Sequence, residues 1–339
     1  MKGNDRPRGA RGGRRRLWLA AASVVVAAAA VNGLAYRHAH ALGHFSQGGA
    51  RTPRAEALTA LQKARVLLVG PNLPKPRNRR TPRDLGLAFE RHAFPGAFGD
   101  EIEAWLVPGP PGAGLVVLFH GHASAKDSLL PAARELHRMG YATLLVDFHG
   151  SGGSSGNRTS IGFHEAQDVS AAYRYAAGLP GPPRIALYGQ SMGAAAVLRA
   201  AAREGLEPHA IILETPFDRL RTTVAHRFRS LRVPAVLVPV MLFWGGVQQG
   251  FDPFAHNPVE YARSVAVPAL LMAGDRDPWV SVEESRSILE ALRGPRELVL
   301  FAGLPHVSLL AARPAQWRTA MAGFLRRSLG GHGESRPAA

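Results

Sequence analysis

The segment from Arg184 to Leu198 constrains the fold of this chain more than any other. It has the pattern of an apolar strand, a tight turn with Ser191 at its apex, and an alanine-rich helix. Gly189 and Gly193 flank the serine, and they omit side chains that would collide where the strand and the helix crowd together. The pattern predicts a strained turn that holds the serine oxygen clear of a sheet edge, as an activated nucleophile requires.

Apolar runs and helical patterns alternate along residues 84–330. Leu115–Phe119 is a continuous apolar run, which is typical of a strand buried on both faces. The predicted strands are 87–94, 101–107, 115–119, 142–146, 185–188, 210–213, 269–272 and 297–301, and the predicted helices are 128–139, 164–177, 194–204, 282–292 and 314–329. The alternation predicts an α/β fold with a mostly parallel eight-stranded sheet and helices on both faces. In such a fold the active site lies beyond the carboxyl ends of the strands.

A serine needs a base within hydrogen-bond reach, and the base needs an orienting carboxylate. Asp277 follows the strand at 269–272, and His306 follows the strand at 297–301. Both therefore fall on loops at the carboxyl ends of strands, and with Ser191 they are the predicted catalytic residues. Asp275 and Glu214 also lie near strand ends and remain rival carboxylates.

The tetrahedral intermediate of acyl transfer needs two backbone donors for its oxyanion. The first predicted donor is the N–H of Met192, at the start of the helix after the serine. The second is the N–H of His122, in the loop after the strand at 115–119. His120 and His122 are also possible metal ligands, but they have no nearby acidic partner in the sequence. The chemistry therefore requires neither a metal nor an organic cofactor.

Several motifs together resemble the α/β-hydrolase superfamily across residues 84–328. They are Asp84–Leu87, Phe119–His122, Ser124–Asp127, Asp147–Ser154, His164–Val169, Gly189–Gly193, Glu214–Phe217, Gly274–Asp277 and His306. Within that superfamily the chain is similar to the membrane-anchored or exported branch of serine-aminopeptidase-like and BEM46-like hydrolases. The resemblance implies an α/β-hydrolase fold with a short cap and a serine hydrolase activity. His149 departs from the family, which often has arginine there.

The strand–helix rhythm lapses between about 217 and 262, where this superfamily inserts a cap over the active site. Residues 232–246 are strongly apolar and contain Pro234 and Pro239. An apolar cap suits a small-molecule acyl ester or a lipid-like substrate. Ordinary packing of a short helix against the sheet is the alternative. The segment is too short and too broken to be a second membrane span.

Residues 17–36 are nearly all apolar and have about the length needed to cross a bilayer as a helix. Because Arg14–Arg16 precede them, the positive-inside rule leaves residues 1–16 as a basic cytoplasmic tail and sends the hydrolase domain across the inner membrane. The alternative is a secreted protein whose signal peptide is cleaved at Ala39–Ala41.

The formal net charge of +16 is concentrated locally. A second basic cluster, Lys75 to Arg83, lies in the predicted juxtamembrane linker 37–83. It has no interleaved aromatic residues, so we expect a membrane-surface role or a solvated segment rather than a nucleic-acid partner. Residues 331–339 are predicted to be a disordered tail. The chain has no cysteine, which excludes disulfides and thiolate metal sites.

These features predict a serine hydrolase that cleaves a carboxylic ester or thioester through an acyl-serine. One alternative is a serine peptidase or aminopeptidase that cleaves amides, with Glu214 as an acid that recognises an amine. The other is a membrane-tethered interaction protein that keeps hydrolase residues without turnover.

Overall fold

The computed structural model of the 339-residue chain describes residues 9–53, 57–96, 99–180 and 184–330. The predicted tail at 331–339 and the first eight residues of the predicted basic tail lie outside this part of the chain. The described residues form a long N-terminal helix, a segment that wraps over the domain, and an α/β domain with a helical cap.

The domain is built on one eight-stranded sheet, as predicted. Its strands are β1 (Glu90–Pro95), β2 (Glu101–Val107), β3 (Leu115–Phe119), β4 (Ala142–Val146), β5 (Ile185–Gln190), β6 (Ala210–Glu214), β7 (Ala269–Gly274) and β8 (Arg296–Phe301). Their spatial order is β1-β2-β4-β3-β5-β6-β7-β8. The β1–β2 and β2–β4 pairs are antiparallel, and the other pairs are parallel. This is the α/β-hydrolase fold, with the carboxyl ends of six parallel strands at one edge.

Helices cover both faces of the sheet. The helices of the described residues, including the N-terminal helix and those of the cap, are α1 (Gly9–Gly43), α2 (Ala60–Val69), α3 (Leu130–Arg138), α4 (Glu165–Ala177), α5 (Met192–Arg203), α6 (Leu220–Ser230), α7 (Val238–Gln249), α8 (Pro258–Ala262), α9 (Val282–Ala291), α10 (Leu309–Ala312) and α11 (Pro314–Leu329). The continuous apolar run of β3 serves two cores. Leu115, Val117 and Phe119 pack with α4, α5 and α9, whereas Val116 and Leu118 pack with α3 and α11.

The helix α1 is longer than the predicted span 17–36, because it begins at Gly9 and ends at Gly43. Residues 14–31 are exposed along their whole length and project from the domain. The last turns differ, because Ala39 and Gly43 are buried against the domain. Within the described residues, α1 is the helix that is long and apolar enough to span a membrane.

The region predicted as a juxtamembrane linker is packed onto the domain. Phe45 is buried, and its N–H donates to the carbonyl of Asn157 at 2.6 Å. Lys75, from the second basic cluster, donates its Nζ to the carbonyl of Ser154 at 2.6 Å. The helix α2 (Ala60–Val69) also lies in this region. These contacts make residues 44–53 and 57–83 a strap across the domain.

The region 217–262 forms the cap and is more helical than its prolines suggested. It contains α6, α7, α8 and a short 3₁₀ turn at Ala235–Leu237. Pro239 lies in the first turn of α7, where its missing N–H removes no intrahelical hydrogen bond. The cap lies over the carboxyl edge of the sheet, and α1 packs against α7.

Candidate active site

Ser191 occupies the sharp turn between β5 and α5, with φ +53° and ψ −112°. This backbone conformation is strained for a residue with a side chain. It is possible because neither neighbouring glycine fills the space. A Cβ on Gly193 would lie 2.8 Å from the carbonyl oxygen of His120, and one on Gly189 would collide with the backbone of Gly193. The turn places the serine hydroxyl above the sheet edge, as the sequence predicted.

The structure brings Ser191, His306 and Asp277 together. The Nε2 of His306 lies 3.2 Å from the Oγ of Ser191. The Nδ1 of the same ring lies 2.5 Å from an Oδ of Asp277. The imidazole side chain is 17% exposed and the carboxylate 1%. The histidine thus has one face toward the site, and the carboxylate that orients it is shielded from water.

The carboxylate of Asp277 is held in place by its own loop. Its second oxygen accepts hydrogen bonds from the N–H groups of Trp279 at 2.8 Å and Val280 at 3.1 Å. The indole ring of Trp279 lies 5.0 Å from the imidazole of His306. The carboxylate therefore has partners on both oxygens and a fixed orientation toward the histidine.

The two rival carboxylates have other partners. Asp275 accepts a 2.6 Å hydrogen bond from the N–H of Gly303. Glu214 is buried and accepts four hydrogen bonds, from Tyr188 Oη (2.5 Å), Gln190 Nε2 (3.1 Å), Leu309 N (3.2 Å) and Trp317 Nε1 (3.2 Å). Burial and the Glu214 charge raise the pKa of Tyr188. Glu214 thus joins β5, β6, α10 and α11 beneath the site, and no oxygen remains free to bind a substrate amine.

The loop after β3 lies beside the serine. A Cβ on Gly121 would lie 3.6 Å from the Cβ of Ser191. His122 and Met192 both line the cavity that contains Ser191, which is compatible with their predicted roles as backbone donors. Burial lowers the pKa of His122 to about 4, so its ring is neutral at physiological pH.

His120 supports this loop from inside the protein. Its Nδ1 donates to the carbonyl of Gly121 at 2.8 Å, and its Nε2 accepts from the N–H of Phe148 at 3.2 Å. Burial also lowers the pKa of His120. Because both ring nitrogens have protein partners, the metal-ligand alternative for His120 has no support in the geometry.

A buried charge cluster below the loop was not predicted from the sequence. Lys126 is fully buried and pairs with Asp147 and, at 2.6 Å, with Glu103. Asp147 also accepts hydrogen bonds from the N–H of Lys126 at 2.7 Å and from Asn78 Nδ2 at 2.7 Å. Burial raises the pKa of Asp147, but the Lys126 charge and the hydrogen bonds outweigh it and the net shift is downward. The cluster ties the strap to β2, β4 and the loop after β3. In the sequence its one signal is Asp147, which directly follows the apolar strand β4.

A cavity of about 970 Å³ of empty space, partly open to solvent, lies between the site and the cap. It contains Ser191 and His306 and is lined mostly by apolar side chains. None of the described lining residues is acidic, and Arg227 of α6 is the cation among them. His149, the departure from the family pattern, pairs with Asp100 and is not among the lining residues.

A pair of acids lies where the cap meets the domain. Glu284, at the start of α9, has its side chain beside that of Asp218. Burial first, and then this contact and the charges of Asp218 and Asp277, raise the pKa of Glu284 to about 8. The Ser281 N–H, which donates to Glu284 at 2.6 Å, opposes the shift. At neutral pH the Glu284 carboxyl therefore keeps its proton.

Comparisons with known proteins agree with this architecture. A family model described as serine aminopeptidase, S33, matches residues 110–258. An uncharacterized protein of Mycobacterium tuberculosis is 28% identical over 213 residues, which cover 61% of this chain and 69% of the relative. Protein bem46 of Schizosaccharomyces pombe is 21% identical over 233 residues, covering 66% and 73%. An esterase structure from Pyrococcus furiosus aligns with a TM-score of 0.66 and 25% identity, over 76% of this chain and 98% of that one. The family match includes the loop after β3, the turn at Ser191 and most of the cap.

Proposed function

We propose that this chain, which has the α/β-hydrolase fold and is similar to BEM46-like hydrolases, cleaves a carboxylic ester through an acyl-serine intermediate. The observation that carries the proposal is the continuous hydrogen-bonded chain from Ser191 through His306 to Asp277. Each of the three residues follows a different strand, and each donor and acceptor has the role that a Ser-His-Asp triad requires.

In the proposed mechanism His306 removes the proton from the Ser191 hydroxyl as its oxygen attacks the ester carbonyl carbon. Asp277 keeps the ring in the orientation in which Nε2 accepts that proton, and it stabilises the resulting imidazolium. The N–H groups of Met192 and His122 bind the oxyanion. His306 then protonates the departing alkoxide, and an alcohol leaves. Water deprotonated by His306 attacks the acyl-serine and releases the carboxylic acid.

An ester fits the cavity better than a peptide does. An aminopeptidase needs an acid to bind the substrate's free amine, but the described lining residues include none, and the four hydrogen bonds of Glu214 occupy it elsewhere. The apolar lining instead suits an acyl chain. The family description keeps amide cleavage as the competing function, which aminoacyl amide substrates test directly.

A fluorophosphonate reagent and an ester panel test the proposal on the full chain in detergent. We expect the wild type to be labelled and to hydrolyse at least one p-nitrophenyl ester. Ser191→Ala abolishes both, whereas the matched change Ser264→Ala at an exposed serine leaves both unchanged. Labelling without turnover of any ester or aminoacyl amide would favour the non-catalytic alternative. Faster cleavage of amides than of esters would favour the peptidase.

We also propose that α1 stays attached as a single-pass membrane anchor with a cytoplasmic N-terminus. Ala39, within the possible signal-cleavage motif, is buried, and the carbonyl of Gly43 accepts a 3.0 Å hydrogen bond from the N–H of Thr159. These contacts favour an uncleaved helix over a released signal peptide. An N-terminal epitope tag tests this topology. It should remain with the membrane fraction and be accessible only from the cytoplasmic side, whereas a cleaved signal would separate the tag from the hydrolase.

A further inference from the structure

The end of α1 forms part of the cavity that contains the serine. Ala39, Leu42 and Gly43 line this cavity together with Ser191 and His306. On the cap side, α7 contributes Met241, Leu242 and Gly245. The two helices therefore form an apolar wall, and that wall is incomplete without the helix that precedes the hydrolase domain.

Specific contacts fix α1 to the cap. The indole Nε1 of Trp244 donates to the side-chain oxygen of Asn32 at 3.0 Å, and its ring packs edge-on against Tyr36 with centroids 5.4 Å apart. One helical turn further along the cap, Gln249 donates its side-chain amide to the carbonyl of Gly43 at 3.1 Å. Polar contacts thus hold both ends of the α1–α7 wall in register.

The position of these contacts along α1 determines where the cap lies relative to the membrane. The apolar part of α1 that is free of the domain runs from Leu17 to Val31. At 1.5 Å per residue it covers about 22 Å, which is less than the roughly 30 Å hydrocarbon core of a bilayer. The turn from Asn32 to Tyr36, where Trp244 packs, must complete the span. The start of the α1–α7 wall therefore lies at the membrane boundary.

The exposed face of the cap is suited to that boundary. Phe243 and Val247, one helical turn apart on α7, are 53% and 57% exposed, and Val236 just before the helix is 77% exposed. Trp244 and Tyr36 are the aromatic residues typical of membrane interfaces. An apolar surface next to a membrane-spanning helix is covered most simply by the lipid around that helix.

We propose that the substrate is an acyl ester resident in the membrane, and that its acyl chain enters the cavity along the wall formed by α1 and α7. This inference rests on the proposed function, because it assumes that Ser191 attacks an ester. It makes α1 a part of the substrate site as well as an anchor. The chain moves from one apolar surface to another, so the ester need not pass through water on its way to the serine.

A substitution that fills the wall tests the inference. Leu42→Trp, on the cavity side of α1, is compared with Leu34→Trp, which places the same side chain on a more exposed turn of the helix. Both proteins are assayed as full chains in vesicles with p-nitrophenyl acetate, butyrate, laurate and palmitate. We expect Leu42→Trp to lower laurate and palmitate hydrolysis at least about 10-fold relative to acetate. We expect Leu34→Trp to keep the wild-type profile.

Fluorophosphonate labelling of Ser191 separates the two proposals. If Leu42→Trp is labelled but no longer hydrolyses long-chain esters, the result supports entry of the acyl chain along the α1–α7 wall. If the wild type is not labelled, the result contradicts the proposed function itself. If Leu42→Trp fails to fold, Met241→Trp probes the same wall from α7. Equal effects on short and long esters, or a wild type that cleaves acetate but neither laurate nor palmitate, would overturn the inference.

A second vesicle experiment tests the source of the substrate. The preferred long-chain ester is placed either in the protein's own vesicles or in separate vesicles mixed with them. We expect hydrolysis in the protein's own bilayer to be faster by about 10-fold or more. Equal initial rates in the two arrangements would show that the ester reaches the site through water, and the inference would be wrong.

A different observation concerns the polar part of the substrate. Arg227 is an exposed residue at the cavity wall, and its guanidinium is stacked 4.6 Å over the ring of Trp279, which in turn packs against His306. Among the described residues, no carboxylate forms an ion pair with it, and the charge of Asp277 acts on it only from a greater distance. Nearby Arg219, in contrast, has Asp218 as a partner. An arginine without a carboxylate beside a reaction centre is suited to bind a substrate anion. We infer that the ester carries a phosphate or a carboxylate group that binds Arg227.

Arg227→Gln and the matched surface change Arg229→Gln test this site. Three oleoyl esters serve as probes, with glycerol, glycerol phosphate or 3-hydroxypropanoate as the alcohol. We expect Arg227→Gln to lower kcat/KM about 10- to 100-fold for the phosphate or the carboxylate ester, and to leave the neutral ester unchanged. Which anionic ester responds identifies the anion. Equal losses on all three esters, no loss on either anionic ester, or the same pattern in Arg229→Gln, would overturn the assignment.

Discussion

Asp275 accepts a 2.6 Å hydrogen bond from the N–H of Gly303, and this bond joins the two loops that carry Asp277 and His306. The loops follow β7 and β8, which are neighbours in the sheet. Two aspartates separated by one residue thus have different tasks. Asp277 contacts the imidazole, and Asp275 holds the histidine loop at the distance that this contact requires.

Replacing each aspartate by asparagine separates the two tasks. Asp277→Asn removes the charge that stabilises the imidazolium and permits the wrong ring tautomer, so we expect kcat to fall about 10³- to 10⁴-fold. Asp275→Asn keeps a side-chain oxygen for the Gly303 N–H, so kcat should fall less than about 10-fold. Ester hydrolysis by the two full-length variants measures this. Comparable losses would mean that the carboxylate assignment is wrong.

The strain at Ser191 predicts different stabilities for two inactive variants. At φ +53°, alanine is as strained as serine, whereas glycine tolerates positive φ. Relief of about 1–3 kcal/mol of strain outweighs the roughly 0.5–1 kcal/mol entropic penalty of glycine. We expect Ser191→Gly to unfold at a higher temperature than Ser191→Ala, and neither to hydrolyse esters. Thermal unfolding followed by circular dichroism tests the order of the two midpoints.

The buried ion pair of Lys126 predicts a large loss of stability on truncation. Lys126→Met removes the partner of Asp147 and leaves a buried carboxylate unpaired, which typically costs about 3–5 kcal/mol. Lys63→Met, at an exposed lysine in α2, serves as the control and should change the free energy of unfolding by less than about 0.5 kcal/mol. Denaturant unfolding measures both. Similar values for the two variants would contradict the structural role of the pair.

The raised pKa of Glu284 predicts how stability depends on pH. The folded protein keeps this proton up to about pH 8, whereas an unperturbed glutamate loses it near 4.5. Between these values the folded state binds more protons than the unfolded state, so the free energy of unfolding falls as pH rises through this window. The stabilisation that comes from the proton on Glu284 is fully present below about pH 4.5, and it is lost as the pH rises toward and past 8.

Glu284→Gln makes the side chain permanently neutral. We expect this variant to lose less stability than the wild type between pH 5 and about pH 8, because the charge no longer forms beside Asp218 and Asp277. The exposed neighbour Glu283→Gln should follow the wild-type profile. Parallel curves for all three proteins would contradict the raised pKa.

The strands of the sheet could be predicted from the sequence, and the three proposed catalytic residues could be selected from it. The boundaries of β2, β3, β4 and α11 agree with the predicted ones, because buried strands and long amphipathic helices have strong local patterns. Ser191, Asp277 and His306 could be proposed from the sequence because each lies in the segment that follows a strand. Parallel strands bring such residues to one edge of the sheet, whatever their separation along the chain.

Other features depend on contacts that no local pattern encodes. The wall made by Leu42 and Leu242 joins segments two hundred residues apart, and an apolar residue looks the same whether it faces lipid or a cavity. In the sequence nothing distinguishes Lys126 from a surface lysine, and only the folded structure shows that β2 and β4 enclose it. Arg227 lies on a helix rich in exposed basic residues, so only its position in the folded cavity distinguishes it.

The strap that follows α1 also touches the loop beside the nucleophile. Arg51 donates to the carbonyl of Ala123 at 3.0 Å, and the ring of Phe45 lies 6.2 Å from that of His122. Under the proposed topology, the polypeptide that leaves the bilayer is mechanically continuous with the groups that would stabilise the oxyanion. A membrane thinner or thicker than α1 prefers would tilt or shift the helix. Host lipid composition would then tune turnover, so measurements in micelles and in native membranes need not agree.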